Sequence, residues 1–139
     1  MTLCIDASIF VRCLTRESGN DRALTWLRSR IREELVAPPF LPFEFGSALL
    51  RKLSGGEMTL AECQEALSLF EKLGIRYDQD PHIMRRAFEL SFALAQPTVY
   101  DTSYLAVAEK HECELWTLDR RFASIASKDH PCVRLLELD

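Results

Sequence analysis

The sequence predicts an α/β domain, a mostly parallel five-stranded sheet flanked by helices on both faces. Three observations predict it. Five short apolar runs alternate along the chain with longer segments whose apolar residues recur at helical spacing. The helical segments take up roughly 60% of the residues by pattern, the signature of a parallel sheet covered on both sides. The 139 residues, 47% of them hydrophobic, suffice for one buried core, and no linker or internal repeat divides them, so residues 1–139 read as one domain.

The first strand is the run at residues 2–5, TLCI, which stops at Asp6. Ile9, Phe10, Cys13 and Leu14 then carry the first helix. A second helix starts near Asn20, whose side chain is placed to cap it, and Ala23, Leu24, Leu27 and Ile31 recur along it at helical spacing. Leu35, Val36 and Ala37 form the second strand. Pro38, Pro39 and Pro42 forbid a continued ladder, and Pro42 suits the first turn of a helix striped by Phe45, Leu49 and Leu53 and ended by Gly55 and Gly56. Thr59 through Glu62 has the capping-box pattern, with Leu60, Cys63, Leu67 and Phe70 as the apolar face of the helix it opens, and Gly74 closes that helix.

Ile75 to Asp78 return as a strand. Asp80 then acts as a cap, with Pro81 at the first helical position, for a helix whose stripe is Met84, Ala87, Phe88, Ser91 and Ala95. Another helix runs from about Val99 to Lys110. Glu114 to Leu118 read as a strand ending on Asp119, Arg120 to Ala126 as a short helix, and Val133 to Leu136 as the last strand.

Composition removes several classes of function. The five cysteines form no CxxC, so they read as reduced thiols, and the two His-x-Cys pairs, His111/Cys113 and His130/Cys132, lack the usual spacing of a zinc ligand pair. No apolar run approaches a membrane span and the start of the chain has no basic leader, so the expectation is a soluble protein of the cytoplasm with no membrane partner. Seventeen Lys and Arg against 21 Asp and Glu give a net charge of −4, so a nucleic acid would have to be held locally. Local cations stand at Arg28, Arg30 and Arg32, at Arg51 and Lys52, at Arg85 and Arg86, and at Arg120 and Arg121. Each of these also reads as a solvated helix face.

The acids are more informative. Asp6 follows the first strand and Asp119 follows ELWTL, so in a parallel sheet both carboxylates project from one edge, where open α/β sheets place their sites. Glu44 and Asp101 each lie in the first turn of a helix. Taken singly, each acid reads as well as a cap or a dipole partner, and Thr98 through Asp101 even has the capping-box form. Taken together they repel, and a hard cation such as magnesium resolves the repulsion while leaving positions for phosphate oxygens.

The segments CIDASIFV, PPFLPFEFGSALLRK, TVYDTSYLAVAEK and LWTLDRRFA, spread over essentially the whole chain, resemble PIN-domain ribonucleases, and among them the VapC-type toxins of toxin–antitoxin pairs. The resemblance implies a PIN-like fold in which Asp6, Glu44, Asp101 and Asp119 are the catalytic acids and coordinate Mg²⁺ or Mn²⁺, with Ser8 and Thr117 orienting carboxylates or waters. It implies hydrolysis of RNA phosphodiesters, with Asp6, Asp101 and Asp119 on the ion and Glu44 binding through water or positioning the nucleophile. Arg120 and Arg121 are the candidates for contact with phosphate or RNA. It also implies two partners besides RNA: a small VapB-like antitoxin lying near the first helices, where Phe10 and Trp26 are candidate lining residues if not core, and a second copy of the chain in a homodimer. One departure from the pattern is the bulky, proline-rich PPFLPFEF before Glu44, in place of small or hydroxyl residues; Asp21, Asp78 and Asp80 have no counterpart in the pattern.

Two other readings stand beside this one. A noncatalytic PIN-like module would use the same acids only as caps while binding protein or RNA. A metal-dependent phosphatase of the haloacid-dehalogenase type would need DxD after the first strand, where this chain has Asp6-Ala7-Ser8. No GxSxG, HExxH, P-loop or GxGxxG is present to support another chemistry.

Overall fold

The structure, a computed structural model, describes residues 1–138. Strand β1 (Thr2–Ile5) is followed by helices α1 (Ala7–Leu14) and α2 (Asn20–Arg30), then β2 (Glu34–Ala37), α3 (Leu41–Ser54), α4 (Leu60–Glu71) and β3 (Arg76–Tyr77). Helices α5 (His82–Ala93) and α6 (Tyr100–Lys110), β4 (Glu114–Thr117), α7 (Arg120–Ala126) and β5 (Val133–Leu135) complete the order. All strand pairs are parallel, in the order β3-β2-β1-β4-β5. The expected α/β fold with a five-stranded parallel sheet is the observed one.

Strand order explains where the site lies. From β1 the chain winds outward through β2 to β3, then returns to place β4 on the other side of β1. The carboxyl ends of β1 and β4 therefore flank the topological switch point, where open α/β sheets leave a crevice. Register pairs Ile5 with Trp116, so Asp6 and Thr117 leave the sheet side by side. Leu3, Cys4 and Ile5 are all at most 2% exposed, as a central strand covered on both faces must be. Helix α6 packs against β1, β2 and β4, and Tyr104, Leu105, Ala106, Val107 and Ala108 are all buried along it.

Local signals account for most boundaries. Pro42 stands in the first turn of α3, and Thr59 and Glu62 form both halves of the capping box on α4. The third strand is shorter than the expected 75–78. Two expectations need correction. Asn20 does not cap α2: Gly19 does, at φ +83°, and the Asn20 amide instead donates to the carbonyls of Arg12, Cys13 and Thr15 at 3.2, 2.8 and 2.7 Å. It closes the carboxyl end of α1, whose last carbonyls lack intrahelical donors. Replacing it (Asn20→Ala) orphans those carbonyls, and denaturant unfolding should show a loss of about 1–3 kcal/mol.

The second correction concerns α5, whose buried stripe is Ile83, Ala87, Leu90 and Ser91. Met84, Phe88 and Phe92 form an exposed row one residue around the helix, at 58%, 65% and 86%. Pro81 takes the cap position of α5, while the Asp80 carboxylate still accepts from the His82 amide at 3.0 Å.

Candidate active site

Asp6 caps α1 and is almost fully buried. One of its oxygens accepts from the Ser8 amide at 3.1 Å and from the Ser8 hydroxyl; the other accepts from the Thr117 hydroxyl at 2.5 Å. Both hydroxyls also accept a backbone amide of the segment after β4, Ser8 from Leu118 at 3.1 Å and Thr117 from Asp119 at 3.0 Å. Each side chain thus ties the Asp6 carboxylate to the β4–α7 turn. Burial pushes the Asp6 carboxyl up, the Ser8 and Thr117 bonds oppose this, and the charge of Asp101 adds to the rise; the result is a pKa of about 6.

Thr117 is completely buried and its hydroxyl has both a donor role and an acceptor role. Thr117→Val should therefore lower stability by about 1–3 kcal/mol and raise the Asp6 pKa further, while Thr117→Ser should retain both properties. Thermal unfolding and NMR titration of the carboxyl check the two effects.

Glu44, in the first turn of α3, is half-buried and accepts from the Tyr104 hydroxyl at 2.6 Å. Burial raises its pKa, the Tyr104 bond opposes, and Asp101 adds to the rise. Asp101, in the first turn of α6, is also half-buried and raised, by burial first and then by the charge of Asp119. The capping box written into Thr98 through Asp101 does not form: Val99 is the cap residue and no side chain caps α6. Asp119 does cap, accepting from the Phe122 amide at 2.9 Å on α7, and is exposed. Asp101 is the common neighbour, since its charge is felt at both Asp6 and Glu44, and that of Asp119 is felt at Asp101.

A cleft of about 590 Å³ is lined by Ser8, Glu44 and Asp119 together with Glu17, Glu57, Arg12, Arg51 and Lys52, while Asp6 and Asp101 are not part of its wall. Arg12 is engaged by Glu17 at 2.7 Å, and Lys52 by Glu17 at 2.6 Å and Glu57 at 3.5 Å. Arg51 is exposed and makes no ion pair among the described residues. Arg120 and Arg121 follow Asp119 in sequence but do not line this cleft. Arg12 was not flagged by the sequence, because its place depends on the packing of α1 against α3. Tyr104 was missed as well; the DTSY run holds it, but its bond to Glu44 spans 60 residues.

Among the described residues no three His, Cys, Asp or Glu side chains stand together closely enough to enclose a metal ion. The donor set nonetheless fits a hard divalent cation. Magnesium takes one or two carboxylates and keeps several waters, so it needs no three-carboxylate cage. Asp6, Glu44 and Asp101 are hard oxygen donors, each raised by burial first and then by the charge of another acid, and none of the three is held by an ion pair among the described residues.

Comparison with known proteins identifies the class. The PIN domain family model matches residues 3–128, and the chain belongs to the PIN domain family. Among solved structures it is similar to PAE2754 from Pyrobaculum aerophilum, with a TM-score of 0.65 and 22% identity over 90% of this chain and 87% of that one. It is also similar to VapBC2 from Rickettsia felis, solved bound to a DNA fragment from its promoter, with a TM-score of 0.67 and 15% identity over 98% of each chain. No curated protein matches it in sequence. Among the described residues no helix is long and apolar enough to cross a membrane.

Proposed function

We propose that the chain is a metal-dependent ribonuclease, the toxin component of a type II toxin–antitoxin pair, with Asp6, Glu44, Asp101 and Asp119 as its catalytic acids. The observation that carries this reading is the position of Asp101. It is a half-buried carboxylate with no side-chain hydrogen bond to a cap, whose charge reaches Asp6 and Glu44 and which feels the charge of Asp119. A structural cap would have a donor; an acid without one, within reach of the charges of other acids, is what a cation relieves. Membership of the PIN family, whose members are generally nucleases, supports the same conclusion.

Asp6, Asp101 and Asp119 would hold the cation, Mg²⁺ or Mn²⁺, with Glu44 binding it through water or orienting the attacking water. When bound, the cation lowers the pKa of a water and polarises the phosphoryl oxygen. Ser8 and Thr117 keep the Asp6 oxygens fixed, and the Tyr104 hydroxyl holds one oxygen of Glu44. Arg51 is the cleft cation free to meet a phosphate, while Arg120 and Arg121, which do not line the cleft, remain candidates for contact with RNA outside it.

Two partners accompany this reading. The cleft of about 510 Å³ between α1, α2 and α4, lined by Leu14, Leu24, Leu27, Ile31 and Leu69, suits an apolar segment of a VapB-like antitoxin. Phe10 is core, edge-on to Phe70, and Trp26 packs on Trp116, so neither lines that cleft. The exposed row Met84, Phe88 and Phe92 suits the surface of a homodimer. The test of the activity is RNA cleavage by the purified chain in Mg²⁺ or Mn²⁺ against the same reaction in EDTA: cleavage only with metal supports the reading, and none in either supports the noncatalytic module.

A further inference from the structure

The segment PPFLPFEF places a large, exposed ring next to a catalytic acid. Phe43 is 76% exposed and Tyr100 52% exposed. The two line one cleft of about 430 Å³ together with Phe40, Glu44, Ser47 and Arg51. That cleft and the acidic one share Glu44 and Arg51, so the aromatic surface is continuous with the acids.

The aromatic residues of this region divide into two kinds. Phe40 is an anchor: its ring meets Tyr100 edge-on at 5.3 Å and Tyr104 edge-on at 5.5 Å, and Tyr104 in turn holds Glu44. Phe43 takes part in no such aromatic pair and faces solvent. Phe43, Ser47 and Arg51 stand four residues apart on α3, on one helical stripe about 12 Å long. Along that stripe the helix offers a ring, a hydroxyl and a guanidinium with no ion pair among the described residues. An aromatic face beside a phosphate-binding cation is how proteins hold unpaired nucleotides, because every base has a face to stack and only unpaired bases expose it.

We propose that Phe43 and Tyr100 form a stacking platform for one unpaired RNA base beside the acids, with Ser47 and Arg51 holding an adjoining phosphate. This rests on the ribonuclease reading and assigns the residues that position the substrate. A base paired in a helix cannot reach the platform, since its face is covered by its neighbours. Base identity matters little, because stacking discriminates weakly.

The test uses the full chain and fluorescence anisotropy in EDTA, with a short unstructured RNA oligonucleotide and a perfectly paired duplex as probes. Phe43→Ala should weaken binding of the unstructured RNA by about 5- to 100-fold, leave duplex binding unchanged, and be rescued by Phe43→Trp. Arg51→Ala should reduce affinity and lower the salt dependence by about one phosphate contact. In Mn²⁺, Phe43→Ala should raise KM for unstructured RNA with little change in kcat. Equal binding by Phe43→Ala and the parent, equal losses on both probes, or a changed oligomeric state in sedimentation overturns the platform; the last would make Phe43 a contact between copies. A parent that binds unstructured RNA through Phe43 but never cuts it upholds the platform and defeats the nuclease reading. A parent that cuts RNA with kinetics indifferent to Phe43 does the reverse.

Discussion

Asp6→Asn should abolish RNA cleavage, by three orders of magnitude or more on the order of a lost catalytic group, while making the metal-free protein more stable. Both effects have one cause. A carboxylate buried next to Asp101 is unfavourable unless it is protonated or shares a cation, so its pKa stands at about 6 instead of 3.8. The native state therefore binds that proton more tightly than the unfolded chain does. The stability associated with it is fully present below about pH 4 and is lost as pH rises through about 6. The neutral amide escapes that loss. The variant's advantage in EDTA should be absent near pH 4 and reach about 2–3 kcal/mol above pH 7, read as the difference between the two melting curves at each pH. Asn retains an oxygen for the Ser8 amide, so the cap on α1 survives, and its amide nitrogen donates to the Thr117 hydroxyl in place of the bond that hydroxyl gives Asp6, an exchange that takes part of the gain back. A variant that is destabilised at neutral pH yet cleaves RNA as the parent does would instead mark Asp6 as a purely structural cap.

Acid should switch cleavage off well before it unfolds the protein. If Asp6 holds the cation as proposed, protons and a limiting metal compete for its oxygens. Below about pH 6 the rate should fall tenfold per unit, reaching about 30-fold at pH 4.5, where an ordinary aspartate would remain mostly ionised. The fold is protected over this range. Burial pushes Asp78 up, but its bonds to Lys110, the Asp80 amide and His111 outweigh this and hold it well below the usual range. Asp80 is held at about 2 by the His82 amide and ring and by Lys110. Groups with lowered pKa values stabilise the native state above their unfolded pKa, and that contribution disappears only as pH falls through the lowered value. Circular dichroism should therefore stay native at pH 4.5 while the rate falls. Removal of the Thr117 hydroxyl should shift the acid limb of the rate profile to higher pH, because the bond it gives Asp6 favours the charged form. A limb centred near pH 4 would contradict the assignment.

The strands and most helix boundaries were legible in the sequence because they depend on local chemistry: the apolar run ending at Asp6, the proline in the first turn of α3, the capping box of α4. The placement of the four acids at strand and helix ends was legible for the same reason. What was not legible depends on partners distant in the chain. Asn20 was assigned to the helix it begins, yet its amide serves the end of the preceding one, because only the α1–α2 corner brings those carbonyls within reach. On α5, Met84 and Phe88 compete with Ile83 and Leu90 for the apolar stripe. Periodicity alone cannot choose between two apolar faces; the packing of α5 on α6 chooses. Asp101 was balanced between cap and site on sequence grounds, and only the absence of the Thr98 cap separates the two. The bulky segment before Glu44 stood out as a departure, but its division into a buried anchor, Phe40, and an exposed ring, Phe43, depends on Tyr100 and Tyr104 across the cleft.

The most direct test of a shared cation at Asp101 is calorimetric titration of Mn²⁺ into the parent chain and into Asp101→Asn at neutral pH. The parent should bind Mn²⁺ saturably and the variant roughly tenfold or more weakly. A parent that takes up no Mn²⁺, or a variant that binds it as tightly as the parent, would contradict the account.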